Sequence, residues 1–335
     1  MTNRKGEDMK KFFHSRWWLL LALVILSLAS LAVGVKEFSL LRLLEPGSGD
    51  QSLAVLSRIP RLLSILITGA GLSIAGLIMQ TLTRNKFVAP STAGTMEWCR
   101  FGVMLSLLVF AKAGTGTKMT VAFLCALGGT LLFMRILNAI PYKDSVMVPL
   151  IGMMLGSVVS SVTTFFAYRY DMIQNISSWL EGSFSLILKG RYEMLYLGLP
   201  FLALGYVYAD LFTISGMGED FARGLGLNHK AVVFAGLAIA ALITSTVIVT
   251  VGSIPFVGMI VPNIISMWKG DNLKNSIADT ALFGALFVLV CDIAGRLLIF
   301  PYEVSVSVML SVVGSAVFLA ILFRKNDTAP RRKRA

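Results

Sequence analysis

The chain has 335 residues, of which 56% are hydrophobic and only 14% are charged, and its mean hydropathy is +0.77. A soluble domain usually carries about 25% charged residues. A chain this poor in charge would expose large apolar patches in water, so the composition excludes an ordinary soluble protein. The net charge of +12 does not indicate nucleic-acid binding, because the excess lies largely in residues 1–16 and 324–335.

Apolar segments suited to crossing a bilayer recur along the whole chain. A spanning helix needs about 20 mostly apolar residues. Nine or ten segments qualify, at roughly 17–36, 61–82, 94–111, 118–137, 146–168, 193–213, 231–251, 254–268, 276–298 and 304–323. The first is longer than the apolar core of a signal peptide, so we expect it to be retained. The sequence therefore predicts an all-α, polytopic membrane bundle of about ten helices, with a single domain over residues 1–335.

Charge predicts the orientation of this bundle. The basic tails, 1–16 and 324–335, flank the first and last apolar segments. Basic residues next to spanning helices favour the cytoplasmic side. Both termini are therefore expected in the cytoplasm. Two cytoplasmic ends require an even number of spans, and ten fits.

Small residues predict where helices approach closely. Gly69, Gly71 and Gly76 lie in the second segment, and Gly152 and Gly156 form a GxxxG pattern in the fifth. In lipid, such residues let helix backbones approach each other.

The sequence lacks several motifs that would indicate an enzyme. It has no GxxxxGK[ST] phosphate loop, no HExxH and no GxSxG. His14 and His229 are too far apart to suggest a metal cluster, and the three cysteines are isolated in apolar stretches. We predict no catalytic residue, no metal and no cofactor bound by this chain. Any ATP used for transport, with its Mg²⁺, would be bound by a separate ATPase subunit.

One charged segment interrupts the apolar pattern at 214–229. Glu219 and Arg223 predict a short helix with a glycine-rich end at Gly226. From the residues alone, a solvated turn and a coupling helix for a cytoplasmic ATPase are about equally supported.

Several motifs occur in one order along most of the chain. They are Arg58-Ile-Pro-Arg61, Gly69-Ala-Gly71, Gly76, Gln80 and 84–90; Trp179-Leu-Glu-Gly182; Gly218-Glu219, Ala222-Arg223 and 225–227; Gly252-Ser-Ile-Pro-Phe-Val-Gly258 with Val261-Pro262; and Asp292-Ile-Ala-Gly-Arg296 with Glu303. In this set the chain resembles the FecCD-type permease family of vitamin B12 and siderophore importers. The segment 92–98 resembles the Gram-positive branch for catecholate siderophores such as petrobactin. The chain departs from the family at Asn263, Met267, 304–307 and Ala316, which affects details of the last helices.

The resemblance implies a type II ABC importer permease fold in a bacterial plasma membrane, and a set of partners. These are a second permease, like or unlike, two cytoplasmic ATPase subunits, and an extracytoplasmic substrate-binding lipoprotein. The residues implied to couple to the ATPase are Gly218, Glu219, Ala222, Arg223 and Gly226.

The resemblance also places a docking surface for the binding protein at Arg58, Arg61 and Arg296. Arginine can pair bidentately with carboxylates of a partner. The alternatives are interfacial snorkelling and, for Arg296, an i,i+4 partner in Asp292; for Arg296 the two interpretations are about equal.

A translocation path along the fifth and tenth helices is implied in the same way. It would use Gly152, Gly156 and Ser160 in the fifth helix and Ser307 and Ser311 in the tenth, with a cytoplasmic gate near Asp144 and Ser145. Hydroxyls bonded to their own helix backbone are an equally good interpretation of any one serine. We expect Glu97 and Arg100, within a span, to pair with each other rather than contact substrate.

The function expected from the resemblance is import of iron–siderophore complexes. Cobalamin or haem in the same family are alternative cargoes. An ion-coupled secondary transporter is less well supported, because no half-to-half repeat is visible. A membrane-embedded enzyme would require a nucleophile and base or a metal site within the spans.

Overall fold

The computed structural model describes residues 16–33, 54–89, 94–140, 147–190, 192–270 and 272–327. Helices occupy most of this part of the chain. They are α1 Arg16–Ala32, α2 Ile59–Thr83, α3 Thr95–Val109, α4 Thr115–Ala139, α5 Met147–Arg169, α6 Ile173–Leu180, α7 Gly198–Val207, α8 Ala209–Gly216, α9 Glu219–Gly224, α10 His229–Val251, α11 Val257–Lys269, α12 Leu273–Leu298 and α13 Val306–Asp327. A π-helical turn at Ala54–Arg58 leads into α2, and a 3-10 turn at Tyr192–Leu197 leads into α7. The β pairing in the described residues is a single bridge between Ile299 and Tyr302, so the all-α prediction is confirmed.

Length and apolarity identify five of these helical segments as able to cross a membrane: Ala54–Thr83, Thr115–Leu137, Leu150–Arg169, His229–Val251 and Leu273–Leu298. The segments Tyr192–Val207 and Ala209–Gly216 meet the test together as a pair bent by 59°. α1 and α13 contain shorter apolar helices. The chain is therefore a multi-pass membrane protein, and each predicted apolar segment contains at least one helix.

α2 lies at the centre of the bundle, where it packs against α10, α11 and α12. Two glycines make this possible. A Cβ on Gly69 would lie 2.5 Å from the Gly284 carbonyl oxygen in α12, and a Cβ on Gly76 would lie 1.8 Å from the Gly258 carbonyl oxygen in α11. The close approach expected for the second segment is confirmed.

α11 contains Pro262, which has no N–H to donate to the carbonyl four residues earlier. The amide of Gln80 on α2 donates to that carbonyl, of Gly258, at 3.4 Å and to the Met259 carbonyl at 3.0 Å. The Nδ2 of Asn263 donates to the Lys86 and Met259 carbonyls, each at 2.8 Å. The proline is thus accommodated because neighbouring amides bond to the carbonyls around it.

The bundle has two ends that matter for function. The Gly218 end comprises the start of α1, the residues after α2, α9 with its flanks, and the α11–α12 junction. There the buried Asp279 of α12 pairs with Lys269 at 2.7 Å and with Arg16 at 3.2 Å. The Glu303 end comprises the end of α1, the start of α2 and the residues between α12 and α13. Asp279 thus joins α12 to the start of α1 at the Gly218 end, through its pair with Arg16. This link does not involve the contacts that the two helices make at the Glu303 end.

Candidate functional sites at both ends of the bundle and along its side

A network of four charged side chains lies at the Glu303 end. The guanidinium of Arg61 donates to both carboxylate oxygens of Glu303, at 2.9 and 3.1 Å, and to Asp292 at 2.9 Å. Asp292 also pairs with Arg296 at 2.7 Å, and the Ser185 hydroxyl donates to Glu303 at 2.6 Å. Two positive and two negative charges balance, which is how charges removed from water are normally stabilised.

Partial burial raises the pKa of the Glu303 carboxyl, but the Ser185 hydrogen bond and the nearby charge of Arg61 lower it by more. The pKa of Glu303 therefore lies below its ordinary value of 4.5. This carboxylate is ionised at neutral pH and is available as an acceptor at the mouth of the bundle.

Arg296 and Arg58 both bond to the end of α1. Arg296 donates to the Ser30 and Val33 carbonyls, at 2.9 and 2.8 Å, and to the Ser30 hydroxyl at 2.5 Å. Arg58 donates to the carbonyls of Leu31 and Ala32. The last carbonyls of a helix lack partners within it and carry partial negative charge. The two arginines therefore act as a cap on α1.

The three arginines predicted to dock a binding protein thus already have partners. The Arg61 side chain is 15% exposed and that of Arg296 is 6% exposed. The Asp292 partner of Arg296 was one alternative weighed from the sequence. The contact with α1 was missed, because more than 260 residues separate Arg296 from Ser30 and no local pattern signals it.

The predicted coupling segment forms a short helix, α9, at the Gly218 end. Gly218 precedes it with φ of 130° and Gly226 follows it with φ of 78°, conformations that favour glycine. Glu219 and Arg223 pair at 2.7 Å on the exposed face, while Ala222 is buried. Arg84, just after α2, donates to the Met217 carbonyl at 3.2 Å. α9 is therefore held to the core by Ala222 and Arg84.

The outer face of this segment carries large apolar side chains. Met217, Phe221 and Leu225 are 57%, 49% and 57% exposed. Exposed apolar side chains beside an ion pair are a common composition for a protein contact. The sequence alone did not distinguish a turn from a coupling helix, and this exposed face favours a contact surface.

A cavity of about 650 Å³ opens along one side of α5. On α5 the cavity is lined at intervals of four residues by Gly152, Gly156, Ser160 and Thr164. It is also lined by the residues that directly follow the first three of these, Met153, Ser157 and Ser161. Gly94 and Glu97, at the start of α3, complete the lining. All three α5 residues predicted for the translocation path line this cavity.

The α13 residues of the predicted path lie elsewhere. Ser307 donates its backbone N–H to the Gly182 carbonyl at 3.1 Å, and the Ser311 hydroxyl donates to the Ser307 carbonyl at 2.7 Å. A smaller cavity of about 200 Å³ near them is lined by Glu181, Glu303 and Ser305, among others. The structure does not bring the α13 serines into the α5 cavity. Asp144 and Ser145 lie outside the described residues.

Glu97 and Arg100 do not form the mutual pair expected from the sequence. Oε2 of Glu97 is buried and has no hydrogen-bond partner among the described residues, Arg100 included. The described residues contain no group of three or more His, Cys, Asp or Glu side chains suited to a metal ion.

The sequence matches the model of the FecCD transport family over residues 19–324. It is 54% identical over 312 residues to the petrobactin import system permease protein YclN of Bacillus subtilis, covering 93% of this chain and 99% of that protein. It is 37% identical to the petrobactin import system permease protein FatD of Bacillus anthracis, with 96% of each chain covered. It is also 37% identical to the ferric-anguibactin transport system permease protein FatD of Vibrio anguillarum, over 81% of this chain and 86% of that protein.

Solved structures resemble the bundle as well. A transporter described as metal-chelate ABC type, in an inward-facing conformation, superposes with a TM-score of 0.81 at 25% identity, covering 92% of this chain and 98% of that one. PsaBC from Streptococcus pneumoniae superposes with a TM-score of 0.57 at 14% identity, which indicates a shared fold alone.

Proposed function

Because the chain belongs to the FecCD transport family, we propose that it is the permease subunit of an ATP-driven importer of iron–siderophore complexes. The observation that carries this proposal is the 54% identity, over 99% of its length, to a permease named for petrobactin import. The two FatD relatives are named for petrobactin and ferric anguibactin. The names of these relatives favour a ferric siderophore over cobalamin or haem as cargo.

The cytoplasmic partner would dock on α9. Met217, Phe221 and Leu225 offer an exposed apolar face beside the Glu219–Arg223 pair. Two ATPase subunits would bind ATP and Mg²⁺ and transmit their movement through this face, while the permease itself binds no cofactor. In this orientation the Gly218 end and both termini are cytoplasmic, consistent with the basic residues of 1–16 and 324–335.

The second permease would lie against the α5 side of the bundle. α5 is the least buried of the five candidate spans, at 28% of its apolar window. Its exposed face includes Met154, Val158 and Phe165. A like or unlike permease placed there would close the α5 cavity into a central path with few charges, which suits a chelate that must not bind tightly.

The binding protein would dock at the Glu303 end, through Arg58, Arg61 and Arg296. Arg61 is the best placed of the three, since it already makes a bidentate pair with the partly exposed Glu303. A carboxylate of the binding protein would compete with Glu303 for this guanidinium. Arg296 would need to leave the end of α1 before it could contact a partner.

Uptake of radiolabelled iron, supplied as several purified siderophore chelates, tests the proposal in cells with and without this chain. We expect loss of uptake for one chelate class on deletion and recovery with the intact gene. A gene carrying Arg223→Glu should restore protein in the membrane but not uptake. Normal uptake of every siderophore chelate in the deletion strain would contradict the proposed cargo.

A further inference from the structure

Two cations on different helices share one buried carboxylate at the Gly218 end. Nε of Arg16 and Nζ of Lys269 lie 3.3 and 2.7 Å from the same oxygen atom, Oδ2 of Asp279. The Asp279 side chain is 0% exposed, whereas those of Arg16 and Lys269 are 52% and 22% exposed. One carboxylate neutralises only one of the two cations. This group of three residues, the Asp279 cluster, therefore has an excess positive charge on its exposed side.

Both cations of the Asp279 cluster keep unused hydrogen-bond donors. An arginine has five N–H donors and a lysine ammonium group has three. Arg16 donates from Nε to Asp279 and from Nη2 to the Asn275 carbonyl, at 3.1 Å, and its Nη1 makes no hydrogen bond to the described residues. Lys269 donates to Asp279. The remaining donors can bind an anion from outside the bundle.

The side chains beside the Asp279 cluster are typical of a membrane–water interface. Trp17 directly follows Arg16, Trp268 directly precedes Lys269, and both tryptophans are exposed. Tryptophan is enriched at the level where acyl chains meet headgroups. From there the exposed face of α1 continues with apolar residues, Leu21, Val24, Ile25 and Leu28. An anion that reaches the cluster at this depth is most readily supplied by the lipid itself.

We propose that Arg16 and Lys269 form a binding site for the phosphate group of an anionic phospholipid, such as phosphatidylglycerol. The phosphate would accept hydrogen bonds from both cations, and an acyl chain would lie along the apolar face of α1. Basic pockets between spanning helices bind anionic headgroups in this way. A zwitterionic lipid offers the same phosphate, but its own ammonium group is repelled by the excess positive charge. The site goes beyond the proposed transport function and does not depend on the cargo.

Asp279 distinguishes a lipid site from an ion pair that serves the fold alone. Its carboxylate competes with the lipid phosphate for the same two cations. Asp279→Asn should therefore strengthen lipid binding, while Arg16→Gln and Lys269→Gln should weaken it. A purely structural cluster would give no such opposite effects on lipid affinity.

Native mass spectrometry of the full chain in detergent tests the proposal. Dioleoyl phosphatidylglycerol and dioleoyl phosphatidylcholine are added in equal amounts, and the ratio of the two lipids bound to the folded chain is measured. Since the acyl chains are identical, the ratio reports headgroup recognition and does not depend on how much of each variant folds.

We expect the wild type to favour phosphatidylglycerol and Arg16→Gln or Lys269→Gln to lower the ratio about fivefold, the effect of one basic residue at an anionic membrane surface. Arg16→Lys should keep most of the ratio, and Asp279→Asn should raise it. Arg135→Gln is the matched control, because it removes an exposed arginine from α4. It should leave the ratio close to that of the wild type.

Equal binding of the two lipids by the wild type, or an unchanged ratio in Arg16→Gln and Lys269→Gln, would overturn the inference. A loss in Arg135→Gln as large as that in Arg16→Gln would also overturn it, since net charge rather than this site would then select the lipid. Displacement of phosphatidylglycerol by an equal concentration of inorganic phosphate would show a site for free anions instead of lipid. The proposed transport function is tested separately by siderophore uptake and would stand in each case.

Discussion

At the scale of single residues, the contact between α2 and α11 depends on the absence of a side chain at Gly76. A Cβ there would lie 1.8 Å from the Gly258 carbonyl oxygen and 2.7 Å from the Gly258 Cα. Both are backbone atoms, so no rotamer change relieves the clash. The contact can form only if position 76 is glycine.

Replacing Gly76 with alanine should therefore lower the melting temperature in detergent by several degrees, because α2 and α11 must move apart. Overpacking of this kind lowers the free energy of unfolding by about 1–3 kcal/mol. Gly128 in α4 is the matched control, since nothing lies within 4 Å of a Cβ built there. Gly128→Ala should be neutral or stabilising. Equal melting temperatures for the two variants would contradict the close contact.

Arg296 has a structural role that can be tested apart from its proposed role in docking. It bonds to three oxygen atoms near the end of α1 and to Asp292. Removing a charged donor of this kind costs about 1.5–3 kcal/mol per hydrogen bond. We expect removal of the Arg296 side chain to weaken the structure first at residues 30–33.

We expect Arg296→Met to speed amide hydrogen exchange at the end of α1 and to lower the melting temperature. Arg135→Met, which removes an exposed arginine from α4, should change neither. A variant that keeps slow exchange at residues 30–33 but loses affinity for the binding protein would show that docking, rather than capping, is the main role of Arg296.

At the scale of elements, the ion pair on the short helix α9 can be changed with little effect on the stability of the fold. The Glu219–Arg223 pair is exposed and i,i+4 in spacing, so it contributes only about 0.3–0.5 kcal/mol to folding. A large loss of transport on changing it would therefore support the proposed contact between α9 and the ATPase.

Arg223→Glu should uncouple ATP hydrolysis from uptake and reduce uptake about tenfold or more, as expected when a charge is reversed in an interface. The melting temperature should stay close to that of the wild type. Lys274→Glu, which breaks another exposed pair, with Asp210 at 2.5 Å, is the control at the same end of the bundle. Unchanged coupling in Arg223→Glu would remove α9 from the ATPase interface.

The connection between α12 and α13 should respond to acid through Glu303. Its pKa is lowered in the folded protein, so its ionised form stabilises the fold. This contribution is complete above the ordinary value of 4.5 and is lost as the pH falls through the lower folded pKa.

Melting temperatures of the wild type and Glu303→Gln, measured from pH 7 to pH 3, check this. The variant should be less stable at neutral pH, and the difference should shrink as the wild-type carboxylate is protonated. A difference that stays the same at every pH would show that Glu303 contributes through its shape rather than its charge.

At the scale of the whole molecule, the sequence predicted the apolar segments well because lipid imposes a length and a composition on each of them. α2, α10 and α12 lie within a few residues of their predicted ranges. The third and eighth segments, predicted at 94–111 and 254–268, form the short helices α3 and α11. The bend between α7 and α8 was not predicted, since no proline lies at Tyr208.

The contacts that assemble the bundle were less predictable. Asp279 pairs with Arg16, and Arg296 bonds to Ser30, across more than 260 residues. Charge balance shows that such residues need partners but not which ones they will find. The α5 residues that line the cavity could be predicted from the sequence, because these small residues recur at the spacing of one helix face. That Oε2 of Glu97 has no hydrogen-bond partner among the described residues was not predictable, because Arg100, one turn away, was the expected partner.

The most direct test of the central claim is ATP-dependent accumulation of a labelled ferric siderophore in proteoliposomes that hold this permease with its partner permease and ATPases. The siderophore is supplied on its binding protein from the side opposite to the ATP. We predict accumulation that requires ATP and this chain and that Arg223→Glu reduces about tenfold or more. Accumulation that proceeds without ATP, or that follows an imposed proton or sodium gradient instead, would contradict the account.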